Sequence, residues 1–242
     1  MIEWNDMGII LSVRQHGENG GIVSLLTQNH GRTAGYVYGA SSSSKTGMLQ
    51  TGNLVSVHWQ AKSPDQLGSF TLELEKSNAA AVMDDAVKLT ALQSACALAD
   101  KTMPENEKHT GVYEGLKALL ESFSADFWAV SYIFWEIALL RELGFGLDLA
   151  KCVSTGAVEN LIYVSPKSGC AVSAAAGEIY KERLLALPPF LRGEARFEDE
   201  DILDGLKLTG HFLLHRVFSQ ANANLPEARL RLEEKYVKRQ KA

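Results

Sequence analysis

LVSVHWQAKSPDQLGSFTLEL, residues 54–74, decides the fold class. Within it Leu54–Ala61 and Phe70–Leu74 alternate apolar with polar side chains, the period of a half-buried strand, on either side of a loop at Lys62–Gly68. Three further strands precede this pair: Met7–Val13, Ile22–Thr27 and Arg32–Tyr38. Glycine and asparagine turns at Gly17–Gly21 and Asn29–Gly31 separate them, and Gly39–Gly47 is a polar loop with four consecutive serines. Five short strands in so compact a stretch point to a small closed barrel of the oligonucleotide/oligosaccharide-binding (OB) type.

From Met83 onward the period changes to that of helices. Asp84–Lys101 carries Val87, Leu92, Cys96 and Leu98 at helical spacing, and Val112–Phe123 collects Leu116, Leu119 and Leu120 on one face. Phe127–Leu143 repeats Trp128, Tyr132, Trp135 and Leu139, and Gly144 closes it. Cys152–Ser173 is irregular and rich in Gly, Ser and Thr; Ala174–Ala186 reads as a helix ended by Pro188 and Pro189. The acids of Glu194–Asp204 suit the start of a helix over Leu206–Ala221, and Pro226–Ala242 reads as a last, basic helix. The expected architecture is α+β: an OB-type five-stranded β-barrel at 1–80, then an α-helical domain at 81–242 with a zinc-knuckle-like insertion at 150–174.

The formal net charge of −5 means that the molecule as a whole does not attract polyanions, so nucleic-acid binding would need a local patch. Three widely spaced cysteines give no disulfide framework and suit a reducing compartment. Acids stand near the N-terminus where a signal peptide needs Lys or Arg, and Phe127–Leu147 is broken by Ser131, Glu136, Arg141 and Glu142, too polar to span a bilayer. The expectation is a cytoplasmic protein with no membrane partner.

Each chemically suggestive motif has a plainer reading. Cys152 and Cys170 are followed at the zinc-ribbon spacing by Thr155 and Ser173 rather than by second cysteines, so the insertion lacks a full ligand set and no zinc or other cofactor is expected. His211 and His215 have metal-ligand spacing, but Phe212 stands where a metalloprotease needs glutamate. Asp84-Asp85 at a helix start reads as a cap. With no nucleophile elbow, Walker motif or dinucleotide fingerprint, nothing positive supports an enzyme.

A binding role has more to draw on. The barrel region carries five cations, Arg14, Arg32, Lys45, Lys62 and Lys76, against six acids. His16, His30 and His58 can add charge. Tyr36, Tyr38, Trp59 and Phe70 are candidates to stack on bases, although alternating aromatics more often fill a barrel. Tyr36 and Tyr38 share one face of their strand; if Val37 points inward, both point out. On the helical side, Arg141 beside Leu140 and Leu143 would suit a peptide ending in a carboxylate.

Three stretches together resemble the RecO family of bacterial recombination mediators. They are Gly8–Glu18 with Leu25–Arg32; Trp135–Leu149 followed by Cys152–Gly156; and Tyr163–Gly169 with Leu225–Arg229 downstream. The resemblance implies a non-enzymatic protein with an N-terminal OB barrel and a helical C-terminal domain. It would bind single- and double-stranded DNA, promote annealing, engage the tail of single-stranded DNA-binding protein and, with RecR and in some settings RecF, load RecA onto coated strands. Some members hold zinc with four cysteines; here two of those positions remain. The loop after the third strand, which carries several cations in many relatives, has Lys45 alone, and the basic segment Arg229–Lys241 is the expected compensation. Arg14, Arg32, Lys45 and Lys62 are thus expected on phosphates, Tyr36 or Tyr38 on bases, and Leu140, Arg141 and Leu143 on the partner's tail. The alternative is a protein–protein adaptor whose OB-like module binds no DNA.

Overall fold

The computed structural model describes residues 1–63 and 66–240, so Pro64 and Asp65 of the Lys62–Gly68 loop and Lys241 of the basic tail lie outside the described residues. The chain forms two compact units, Met1–Ser124 and a second beginning at Ala125. The change from strand to helix and the division into compact units therefore fall at different places.

In the first unit β1 (Ile2–His16), β2 (Gly20–Thr27), β3 (Gly31–Val37), β4 (Leu54–Ala61) and β5 (Gly68–Lys76) close into a barrel in the order β1-β2-β3-β5-β4. Closure depends on β1 being longer than its apolar run suggested. Its first half, Ile2–Ile9, pairs antiparallel with β4, and Gly8–His16 pairs with β2 across a register shift between Ile10 and Ser12. The remaining seam is parallel and short, with Gly35 opposite Gly68 and Tyr36 opposite Ser69. Glycine is required on both sides of it. A Cβ on Gly35 would lie 2.5 Å from the Phe70 ring, and one on Gly68 would lie 2.1 Å from Trp59 Nε1. The two large rings fill the space that these missing side chains leave. They join Ile10, Val23, Leu25, Val37, Val55 and Val57 in the barrel core, so Trp59 and Phe70 are core residues as the plainer reading held.

Two longer helices pack in this unit beside its one-turn helices. α1 (Ala86–Thr102) begins at Asp85, whose carboxylate accepts from the backbone N–H groups of Val87 and Lys88, a side-chain N-cap. At its far end Asp100 accepts from Ser12 Oγ at 3.0 Å and Ser24 Oγ at 2.6 Å, which ties the helix to β1 and β2. α2 (Thr110–Ser122) buries Val112, Tyr113, Leu116, Leu119 and Leu120.

The second unit is built on α3 (Trp128–Glu142), which buries eight of its residues, among them Trp128, Tyr132, Trp135 and Leu139. The irregular stretch resolves into a small sheet in the order β7-β6-β8, from β6 (Leu161–Val164), β7 (Ala171–Ser173) and β8 (Leu185–Ala186). The helix expected over Ala174–Ala186 is corrected here. Ala174–Gly177 is one helical turn, Glu178–Arg183 is a 3-10 segment with no buried residue, and Leu185–Ala186 is a strand. Without an apolar face to bury, this run has little to hold it helical. α4 (Asp199–Phe212) starts in a capping box between Glu198 and Asp201, so the acidic run does open a helix. A π-helical turn at Leu213–Val217 ends it, and α5 (Glu227–Arg239) follows. Among the described residues no helix is long and apolar enough to cross a membrane.

Candidate nucleic-acid interface

β3 sets the geometry of the candidate interface by strict alternation. Val37 is 1% exposed and lies in the barrel core, which turns Tyr36 and Tyr38 to the outside. Their rings meet edge to face, with centroids 4.7 Å apart, and Tyr38 is 70% exposed. Tyr36 is partly covered: it meets the His16 ring edge-on and lies over Gly20, where a Cβ would overlap the phenol. The end of β4 brings Lys62 to the same place. Tyr36, Tyr38, Lys62, Gln60 and Ser69 line one concavity of about 380 Å³. A cation beside two outward aromatic rings combines the two elements of single-strand recognition, charge for the backbone and a face for the bases.

The other candidate cations divide. Arg14 lies exposed near the end of β1. Lys45 sits in the one-turn helix Ser43–Thr46 and donates to the Tyr38 backbone carbonyl at 2.6 Å, so its ammonium is tethered near the tyrosines. Arg32 is committed elsewhere. Its Nε donates to Met103 O at 2.7 Å, Nη2 lies 3.2 Å from Glu105 and Nη1 lies 3.8 Å from Asp100, with the side chain only 18% exposed. A guanidinium paired with two carboxylates has less to offer a phosphate, and Arg32 acts here as a brace between β3 and the loop after α1.

On the helical side, Arg141 is exposed and Leu143 is half-buried, but Leu140 is fully buried within its unit. A residue with no surface cannot receive a peptide, so only Arg141 and Leu143 remain of that trio. The basic tail is also reduced. Arg229 has no exposed surface and is bound to Glu136, while Arg239 lies 3.6 Å from Asp199 and Arg231 lies 3.2 Å from Glu227.

The knuckle offers two thiols, Cys152 and Cys170, where a structural zinc ion takes four ligands. Among the described residues no group of three or more His, Cys, Asp or Glu side chains is placed to hold a metal. Cys152 Sγ instead lies 3.3 Å from Ser154 Oγ. Burial pushes this thiol's pKa up, but hydrogen bonds from Ser154, Thr155 and Ser173 more than offset it and bring it down to about 5. His211 and His215 lie side by side with ring centroids 4.5 Å apart and planes tilted by 51°; burial, the neighbouring His215 and Arg216 hold the His211 pKa below its ordinary value.

Two residues near the barrel were not nominated from the sequence as a site with Trp59: Trp4 and His30. Their rings stack on each other, and the Trp4 ring stacks in turn on Trp59. The signal was present as the pairing of Trp4 with Trp59 across β1 and β4, but only the register reveals it.

Comparison with known proteins agrees with this architecture. The profile of the family described as Recombination protein O N terminal matches residues 1–77, and that described as Recombination protein O C terminal matches residues 83–224. The DNA repair protein RecO of Rhodospirillum centenum is 46% identical over 239 residues, which is 98% of this chain and 96% of that relative. The DNA repair protein RecO of Caulobacter vibrioides is 45% identical over 231 residues, 95% of this chain and 92% of the relative. That of Jannaschia is 44% identical over 232 residues, with 96% and 95% covered. Matches to both halves of the chain, and to relatives along nearly their whole length, place it in the RecO family of DNA repair proteins.

Proposed function

We propose that this protein is a non-enzymatic recombination mediator that binds DNA through its barrel. It would promote annealing and assist RecA loading on strands coated by single-stranded DNA-binding protein, together with RecR, in the cytoplasm. The supporting observation is the convergence of Tyr36, Tyr38 and Lys62 on one concavity, with Lys45 tethered to the Tyr38 carbonyl beside it. Bases can stack on the tyrosines while the ammonium groups meet the backbone. Exposed Arg141 with Leu143 is the proposed seat for the tail of single-stranded DNA-binding protein. No zinc or other cofactor takes part in this reading.

The adaptor reading draws support from one observation: Arg32, a candidate phosphate contact, is paired with Asp100 and Glu105 on a molecule of net charge −5. Fluorescence anisotropy with single-stranded DNA at low and moderate salt separates the two. A mediator binds, and its affinity falls as salt rises. Lys62→Ala should weaken binding and flatten the salt dependence by about 0.7 in log–log slope, one phosphate contact on a single strand. Absence of salt-dependent binding by the wild-type chain would favour the adaptor.

A further inference from the structure

Three rings on the barrel lie nearly parallel. His30 stacks on Trp4 with centroids 4.0 Å apart and planes 8° apart, and Trp4 stacks on Trp59 at 5.4 Å and 15°. Trp59 is held in the barrel core, so one end of the ladder is fixed. The other end reaches the surface: the His30 side chain is 36% exposed and lines the groove beside the ladder. Its ring is held in place. Nδ1 lies 2.8 Å from Asp6 Oδ2, and the Asp6 side chain is only 1% exposed. Asp6 in turn accepts from Met7 N and Asn29 N, each at 2.8 Å, and from Asn29 Nδ2 at 3.0 Å. The imidazole is thus oriented by a buried carboxylate that is itself held by three other donors.

Trp4, Trp59 and His30 line a groove of about 640 Å³, within the range of small-ligand sites of roughly 300–1,000 Å³. Thr33, Gln66 and Asn106 supply hydroxyl and amide groups to its wall. Asn106 is pinned there by its backbone N–H donating to Arg32 O at 2.8 Å. Among the described residues its lining contains no Lys or Arg, and it includes Glu105. Such a wall disfavours a phosphate; it offers a flat ring face and edge groups that both donate and accept, which is what a nucleobase presents to be read. Position supports the same occupant. Gln66 and Leu67 line both this groove and the concavity of Tyr36, Tyr38 and Lys62, so the two are separated by a shared rim. A strand whose backbone passes Lys62 can turn a base over that rim.

We infer that the Trp59–Trp4–His30 ladder is a nucleobase seat, in which an unpaired base of single-stranded DNA stacks on the open face of His30 as the next ring. The inference rests on the proposed DNA binding by the barrel and assigns it a second, base-reading site. A duplex, whose bases are already stacked, would not use it.

The test compares the whole chain with an oligo(dT) strand and with an abasic deoxyribose-phosphate strand of the same length, in anisotropy titrations at one salt concentration. Wild type should prefer oligo(dT). His30→Ala should weaken oligo(dT) binding at least about fivefold, the low end for one stacked base, and leave the abasic strand unaffected. His30→Phe, which keeps a ring but gives up the Asp6 contact, should recover most of the oligo(dT) affinity. The abasic strand also controls for damage to the fold, which would reduce both affinities. Unchanged oligo(dT) binding by His30→Ala, or equal losses on both strands, would overturn the ladder while leaving DNA binding by the barrel in place. If wild type binds both strands equally, the ladder fails alone; if it binds neither, the proposed function fails and the ladder with it.

Discussion

Arg229 donates from Nε to Glu136 Oε1 at 2.5 Å, and neither side chain has any exposed surface. The pair joins α3 to α5 inside the second unit, and its surroundings satisfy it. Nη2 of Arg229 donates to Glu136 Oε2 at 3.1 Å and to Leu206 O at 2.6 Å, Nη1 reaches Glu233 at 3.3 Å, and Tyr132 Oη donates to Glu136 Oε1 at 2.9 Å. Thr209 Oγ1 donates to the other carboxylate oxygen. Burial works against the guanidinium charge, but Glu136 more than restores it, so the Arg229 pKa lies above its ordinary value.

The cost of this arrangement is in its parts rather than in its whole. Arg229→Met leaves the Glu136 carboxylate buried with its main partner gone, and it should destabilise the protein by about 3–5 kcal/mol in urea unfolding. Glu136→Leu should cost a similar amount. The double variant should be far less unstable than the sum, because no uncompensated charge remains, although Leu206 O and Tyr132 Oη lose partners. Additive losses would mean that the two groups are not coupled.

Arg32 and Lys62 should respond in opposite ways. Arg32 is locked to Met103 O, Glu105 and Asp100, whereas Lys62 lines the concavity beside the outward tyrosines. Arg32→Ala is expected to lower stability by about 1–3 kcal/mol, the range for losing a hydrogen-bonded charge, with little change in the salt slope of DNA binding. Lys62→Ala should change the slope and leave the unfolding midpoint nearly unmoved. Chemical unfolding and salt-titrated anisotropy on the same two variants check both halves. A reversed pattern would return Arg32 to the DNA contact surface.

Asp6 sets a pH dependence whose sign can be worked out. Burial raises the pKa of its carboxyl, but hydrogen bonds from His30, from the backbone of Asn29 and Met7 and from the Asn29 amide outweigh this, so it sits below its ordinary value. An unfolded aspartate titrates near about 3.9. The folded state therefore holds this proton more weakly, and the stabilisation is complete above that pH. It is lost as pH falls through the lower folded value. Asp6→Asn should flatten the acid limb of the stability curve below pH about 4 relative to wild type. An identical acid limb in the two proteins would show that Asp6 has no altered affinity for its proton.

The barrel was legible because a period of two reports burial directly: the alternation in Leu54–Ala61 and Phe70–Leu74 put Val55, Val57, Trp59 and Phe70 inside. Tyr36 and Tyr38 could be placed outside by the same rule, once Val37 was inside. What pattern could not supply was partnership across the chain. Arg32 and Arg229 look like free cations in sequence, and their acids stand far away at Asp100, Glu105 and Glu136. Glu136 interrupts an apolar helix as a solvent-facing acid would, yet it is buried because Arg229 meets it. Leu185 and Ala186 continue an alanine-rich run but pair with Val164 and Tyr163, a long-range contact that overrides local helix preference.

The knuckle yields the last prediction. Its turns are closed by backbone bonds: Cys152 N to Ala157 O at 2.7 Å, Gly156 N to Cys152 O at 2.9 Å, Asp148 N to Gly169 O at 3.1 Å and Ala171 N to Asp148 O at 2.8 Å. A structural zinc ion normally needs four ligands, and its removal unfolds the module that it holds. Here two thiols stand in the loop pair, and one of them is taken up by hydroxyl and backbone donors. Prolonged dialysis against a chelator should therefore leave the thermal midpoint unchanged and release no stoichiometric zinc. A fall in the midpoint on chelation, reversed by adding zinc, would show that Cys152 and Cys170 recruit ligands from outside this loop pair and that hydrogen bonds alone do not hold it.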